Sequence, residues 1–160
     1  LGQLDRAMSA AETALREAER LGDPRLKAQA LAGRAEIRLA RGEPVLARRE
    51  VERALATHRE LHDAVLEAED LRILAGALAA LDQPAEAEAL LWEVIGSASA
   101  HHRPLLMATA QRDLARLQER RGLGDEAWEL ARSARATFDR LGAAHEVHRL
   151  DQLLESSERA

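Results

Sequence analysis

Small and apolar side chains recur along this chain in two superposed rhythms. Within a stretch they fall three and four residues apart, as in Ala7, Ala11, Ala14 and Ala18, or Ala127, Ala131, Ala134 and Phe138. That spacing keeps returning to one side of an α-helix. Between stretches the same sets come back after forty residues. Ala7, Ala47, Ala87 and Ala127 share an offset, as do Ala11, Val51, Leu91 and Ala131, and then Ala14, Ala54, Val94 and Ala134. Farther along the same face stand Ala18, His58, Ala98 and Phe138, followed by Leu21, Leu61, His101 and Leu141. A second kind of helix carries Leu31 and Leu71, Leu74 and Leu114, and Ala35, Ala75 and Ala115. A forty-residue period made of two helices marks a stacked repeat array. Small residues in the shared column let neighbouring helix axes approach closely.

Punctuation confirms the period. Gly2, Gly22, Gly42, Gly122 and Gly142 are separated by multiples of twenty, and His62, Asp82 and His102 fill the places between. Pro24, Pro44, Pro84 and Pro104 keep the same beat. Gly is favoured just beyond a helix C-terminus and Pro in a first helical turn. Asp23 adds a capping side chain directly before Pro24. The pattern predicts helices near 3–20, 24–40, 44–60, 64–80, 84–99, 104–120, 124–140 and 143–157.

Composition narrows this picture. The 160 residues include 34 Ala, 27 Leu and 22 Arg, all helix-favouring, against only 15 Val, Ile, Thr, Phe, Trp and Tyr together. An all-α chain follows. Absence of Cys removes disulfide scaffolds, Cys-ligated zinc, iron–sulfur sites and thiol nucleophiles. A net charge of −5 argues against a nucleic-acid partner, which calls for a basic excess. The longest apolar run, Ile73 to Leu81, has 9 residues, where a membrane span needs about 20. No basic, apolar leader opens the chain, so a cytoplasmic setting is the expectation. The first residue is Leu, which suggests a piece of a longer polypeptide.

With these residues in place the chain resembles the tetratricopeptide repeat (TPR) family. The carrying features are Leu74-Ala75 and Leu114-Ala115 in first helices, and Gly42-x4-Ala47 and Gly122-x4-Ala127 leading into second helices. Ala47 to Ala54 and Ala127 to Ala134 then keep the seven-residue step. The forty-residue length and the ending Ala134-x3-Phe138-x2-Leu141-Gly142 are similar to repeats of bacterial transcriptional activators and signalling ATPases. The large aromatics of the family's first helix are replaced by Leu31, Leu71 and Gln111, while Arg34 and Arg135 stand in usually apolar columns. The resemblance implies one α–α superhelix: a half repeat over 1–22, repeats over 23–62, 63–102 and 103–142, and a capping helix over 143–160. The polar tail Glu155–Ser156–Ser157–Glu158 suits the cap.

Candidate chemistry is sparse. His58 and His62 stand four apart, His102 lies one period on from His62 with His101 beside it, and His145 and His148 are three apart. Without Cys these sets fall short of the three or four ligands of zinc, so turn positions are the simpler reading and no metal or cofactor is expected. Glu50, Glu52, Glu60, Glu67 and Glu69 lie among arginines, where solvated pairing on helix faces is the ordinary explanation. Ser97, Ser99 and Ser133 have no nucleophile setting, and the glycines form no phosphate loop. A non-enzyme is expected.

The family's groove offers more. Carrying its concave columns over gives Gln29, Ala32, Glu36 and Leu39, then Glu69, Arg72, Gly76 and Ala79, then Thr109, Arg112, Arg116 and Glu119, and finally Arg149 and Gln152. Arg72, Arg112, Arg116 and Arg149 form a basic stripe within an acidic chain, and guanidinium groups favour carboxylates. The family's Lys/Asn carboxylate clamp is not matched, because the chain has no Asn and its one Lys, Lys27, lies elsewhere. The expected role is a non-catalytic protein-interaction module of a larger bacterial regulatory or signalling protein, binding a protein or peptide, with an acidic segment favoured. Two alternatives stand beside it: arginines that merely pair with Glu36, Glu69 and Glu119, and a sensory domain whose groove takes a small ligand or signalling peptide. Trp92 is expected to face outward, which suits a homodimer contact or packing into a neighbouring turn. Trp128 is expected near the surface.

Overall fold

The computed structural model describes residues 2–157, and the side chains of 2–154. Among them lie eight helices: α1 (Gly2–Leu21), α2 (Pro24–Ala40), α3 (Pro44–Glu60), α4 (Ala64–Ala80), α5 (Pro84–Ala100), α6 (Pro104–Arg120), α7 (Gly124–Arg140) and α8 (Ala144–Ser157). No strand occurs among the described residues. The expected bounds agree with these within one residue. The polar tail read as a cap lies outside the described side chains.

The twenty-residue beat has a backbone cause. Gly22, Gly42, Gly122 and Gly142 all take left-handed φ, between 67° and 77°, and so do His62 (54°), Asp82 (61°) and His102 (52°). Each residue after them donates its N–H back across the turn, as in Glu43 N to Arg38 O at 2.9 Å, Asp63 N to His58 O at 3.0 Å and Ala143 N to Phe138 O at 2.9 Å. This Schellman arrangement satisfies carbonyls left over at a helix end and reverses the chain. The same residue then opens the next helix. Asp23 does so most fully, its Oδ1 accepting from Arg25 N at 2.9 Å and Leu26 N at 3.1 Å.

The chain divides into two compact units, Leu1–Leu90 and Leu91–Ala160. In the first, α2 packs against both α1 and α3, and α4 against α3. Ala28, Leu31, Ala32 and Ala35 of α2 share a core with Ala47, Val51 and Ala54 of α3 and Ile73 of α4. Ala47, Val51 and Ala54 are wholly buried. The axes come close enough that a Cβ on Gly76 of α4 would sit 3.2 Å from Leu39 Cδ1 of α2. In the second unit α7 packs against α6 and α8. There Ala108 and Ala115 of α6, Ala131, Ala134 and Phe138 of α7, and Leu150 and Leu153 of α8 close the core.

Several expectations change. Leu21, Leu61 and Leu141, assigned to the packing face, are exposed, because they stand where the helix ends and the turn carries them past the packed stretch. Glu50 is not a solvated surface acid. It is buried, accepting from Arg34 Nε at 3.0 Å and Arg38 Nε at 2.9 Å, and Arg38 also pairs with Glu43 at 2.5 Å. Arg34 therefore enters its usually apolar column with a counter-ion. Arg135 does the same with Asp151 at 2.5 Å. His58 is not a turn residue or half of a surface metal pair with His62. It is buried beside Asp70, its Nδ1 2.6 Å from Asp70 Oδ2, while His62 is exposed in the turn.

Candidate functional site

The first-helix columns carried over from the sequence meet in space within each unit. In the first unit, Arg72 of α4 donates to Glu36 of α2 at 2.5 Å, alongside the Leu39–Gly76 approach. Both positions face the same side of neighbouring helices, and the charge of Arg72 is matched there. Glu69 also has a partner.

The second unit is richer in positive charge. Arg112 of α6 is largely buried and donates to Asp113 Oδ1 at 2.7 Å and to Glu146 Oε2 of α8 at 2.5 Å. Arg149 reaches the other oxygen of Glu146 at 3.6 Å. One helical turn beyond Arg112 stands Arg116, half-buried, with no hydrogen bond or ion pair among the described residues. Three guanidinium groups thus share two carboxylates.

Electrostatics follow from that count. Burial lowers the pKa of Arg116, and the nearby charges of Arg112 and Arg149 lower it further, while Asp113 and Glu146 offset this only in part. Burial also opposes the charged form of Arg112, but Asp113 and Glu146 outweigh it and raise its pKa. Burial works to raise the pKa of Glu146, yet the hydrogen bond and charge of Arg112, then Arg149 and Arg116, hold it below the usual carboxylate value. The site is therefore a partly desolvated cluster with surplus positive charge, suited to a carboxylate or another anion.

The remaining groove residues contribute less. Thr109 Oγ1 donates to Leu105 O at 2.8 Å on its own helix, and Gln152 Nε2 lies 3.2 Å from His148 Nε2. Glu119 has a partner. Sequence reasoning missed Asp113 and Glu146. Their signal was available, since Glu146 precedes Arg149 by three residues in the first turn of α8, and Asp113 adjoins Arg112. Trp92 is 49% exposed, as the outward reading expected, while Trp128 is half-buried under Arg132, whose guanidinium carbon lies 4.4 Å from the ring centre. Among the described residues no group of three or more His, Asp or Glu side chains converges to hold a metal ion.

Known structures share this helix order. The fold is TPR-like. BtubC (BKLC) from P. vanneervenii superposes with a TM-score of 0.76 at 21% identity, over 96% of this chain and 65% of its own. The chain thus spans about two thirds of that neighbour's length. A putative kinesin light chain of Podosopora anserina with nearly identical TPR-like repeats superposes with a TM-score of 0.66 at 20% identity, over 99% of this chain and 83% of its own. No protein-family profile matches the chain, and no curated protein does. No described helix is long and apolar enough to cross a membrane.

Proposed function

We propose that this TPR-like array is a non-catalytic protein-interaction module that receives an acidic segment of a partner protein on the α6–α8 face. One observation carries the reading: Arg116 is half-buried and makes no hydrogen bond or direct ion pair among the described residues, while it feels the charges of Arg112 and Arg149 as well as those of Asp113 and Glu146. A guanidinium in that setting is stabilised by an arriving carboxylate, which relieves the repulsion and replaces lost hydration. Arg112 and Arg149, held by Glu146, flank the arriving group, while Thr109 and Gln152 line its path. In the first unit Glu36 already occupies Arg72, so the charge there is satisfied internally. A charged face of this kind suits a peptide segment better than a small apolar ligand. The resemblance of the repeats supports a role within a larger bacterial regulatory or signalling protein in the cytoplasm. Trp92 offers a second contact surface, suited to a homodimer.

The test is fluorescence anisotropy with a labelled oligoglutamate peptide at low and physiological salt. Arg116→Glu is expected to weaken binding at least tenfold, Arg116→Lys less, and Arg72→Glu little. Equal affinity of Arg116→Glu and the parent overturns the reading.

A further inference from the structure

Helix α1 leaves open an apolar face that its counterpart forty residues on keeps covered. Ala7, Ala11 and Ala14 of α1 stand forty residues before Ala47, Val51 and Ala54 of α3. In α3 these three positions have 0% exposure, because α2, the helix immediately before it, lays Ala28, Leu31, Ala32 and Ala35 across them. The second unit repeats the device, with Ala108 and Ala115 of α6 in one core with Ala131 and Ala134 of α7, the helix that follows. In α1, by contrast, Ala7 and Ala11 are only half-buried and Ala14 is exposed. With Leu26, Ala30 and Ile37 of α2 they line an open groove of about 670 Å³ whose walls are almost wholly apolar. Glu17 and Gln29 are the only polar side chains on it.

A second observation says what belongs there. Gly2 lies forty residues before Gly42, and Gly42, at φ 76°, forms the turn that joins the covering helix α2 to the covered helix α3. Gly2 thus stands in the register of a turn leading from a covering helix into α1. We propose that the groove is an internal packing slot, filled by a helix that precedes α1 in the natural polypeptide and presents Ala- and Leu-sized side chains forty residues upstream of Ala28, Leu31, Ala32 and Ala35. The slot continues the α2–α3 interface already built within the chain. A second copy fits it poorly. The first-type helix at the other end, α8, carries His148, Asp151 and Gln152 at the offsets of Ala28, Leu31 and Ala32, and burying those polar groups on an alanine surface leaves them without partners.

The test adds a helix ahead of the chain. A copy of Asp23–Arg41 with Arg34→Leu and Arg38→Ala, fused directly to Gly2, reproduces the register of Arg41–Gly42. The two changes are needed because the place of their partner Glu50 is taken by Ala10 in α1. The fusion is expected to raise Tm by about 5 °C or more. Ala14→Arg is expected to cancel that gain in the extended protein while leaving the Tm of the unextended chain nearly unchanged. The natural residues ahead of Leu1 are expected to show the same apolar offsets without internal Pro. No gain in Tm, a gain insensitive to Ala14→Arg, or charged residues or Pro at those natural offsets overturns the proposal. So does an unextended chain that sediments as a dimer and becomes monomeric with Ala14→Arg, since the slot then belongs to a second copy.

Discussion

His58 Nδ1 lies 2.6 Å from Asp70 Oδ2, with both side chains 1% exposed, across the turn between α3 and α4. Twenty residues earlier Arg38 and Glu50 make the same twelve-residue link across the preceding turn, and eighty residues later Phe138 and Leu150 fill it with apolar groups. One position of the fold thus accepts an ion pair, a histidine–acid pair or plain hydrocarbon. When Asp70 is ionised it can only accept, so Nδ1 carries the proton. Nε2 then finds no partner among the described residues. Removing one member strands the other: Asp70→Ala is expected to cost about 3 kcal/mol. The double change His58→Leu/Asp70→Leu copies Leu78 and Leu90, which stand at the same offset, and is expected to lie closer to the parent than either single change. A urea double-mutant cycle measures this, and additive losses would refute it.

The same pair should write itself into the pH dependence of stability. Burial raises the Asp70 carboxyl to about 6, with the hydrogen bond to His58 pulling partly the other way. An unfolded Asp titrates near 3.9, so the folded state favours the protonated acid. Its stabilising contribution is full below about pH 4 and is lost as pH rises through about 6. Relative to Asp70→Asn, the parent is expected to lose Tm across that window and run parallel above about pH 7. Curves parallel throughout would show that Asp70 does not titrate in this range.

Three turns hold left-handed residues with side chains, at His62, Asp82 and His102. The left-handed region costs an ordinary L-residue about 1 kcal/mol, which glycine avoids while gaining entropy in the unfolded chain. Changing each to Gly should stabilise by about 0.5 kcal/mol, and Gly42→Ala should destabilise by about 1 kcal/mol. Midpoints in urea check both signs.

The alanine column gives a paired prediction. Ala54 has no exposure, and adding three carbons there overpacks the α2–α3 contact, so Ala54→Leu should cost about 2–3 kcal/mol. Ala14, forty residues earlier, is exposed on the open slot, and Ala14→Leu should be within about 0.5 kcal/mol of neutral. Thermal unfolding of the two variants side by side decides it.

The site itself was only half legible in the sequence. The columns holding Glu36, Arg72, Arg112, Arg116 and Arg149 could be read from the register, and the structure brings Arg72 to Glu36 and gathers the other three arginines round Glu146. Which arginine keeps a counter-ion could not be read. That depends on distances of a few ångströms between side chains some 35 residues apart, and several acids sit at comparable offsets. Glu50 and His58 show the same limit. Their types and spacing look like solvent-facing helix residues, and only the approach of α2 and α4 buries them.

The number and bounds of the helices among the described residues were determined by the sequence alone, because they rest on local chemistry repeated at fixed intervals. Left-handed turn residues, prolines in first turns and alanines three and four apart each act within one or two helical turns, and the forty-residue period multiplies their agreement. What only the tertiary structure decided is the fate of charge and of open surface. Whether Arg116 is matched, whether Asp70 is dry, and whether the alanine face of α1 is covered are questions of neighbours brought in by packing. Desolvation and the pairing of distant groups such as His58 with Asp70 or Arg112 with Glu146 are settled between helices, by partners a dozen or more residues apart.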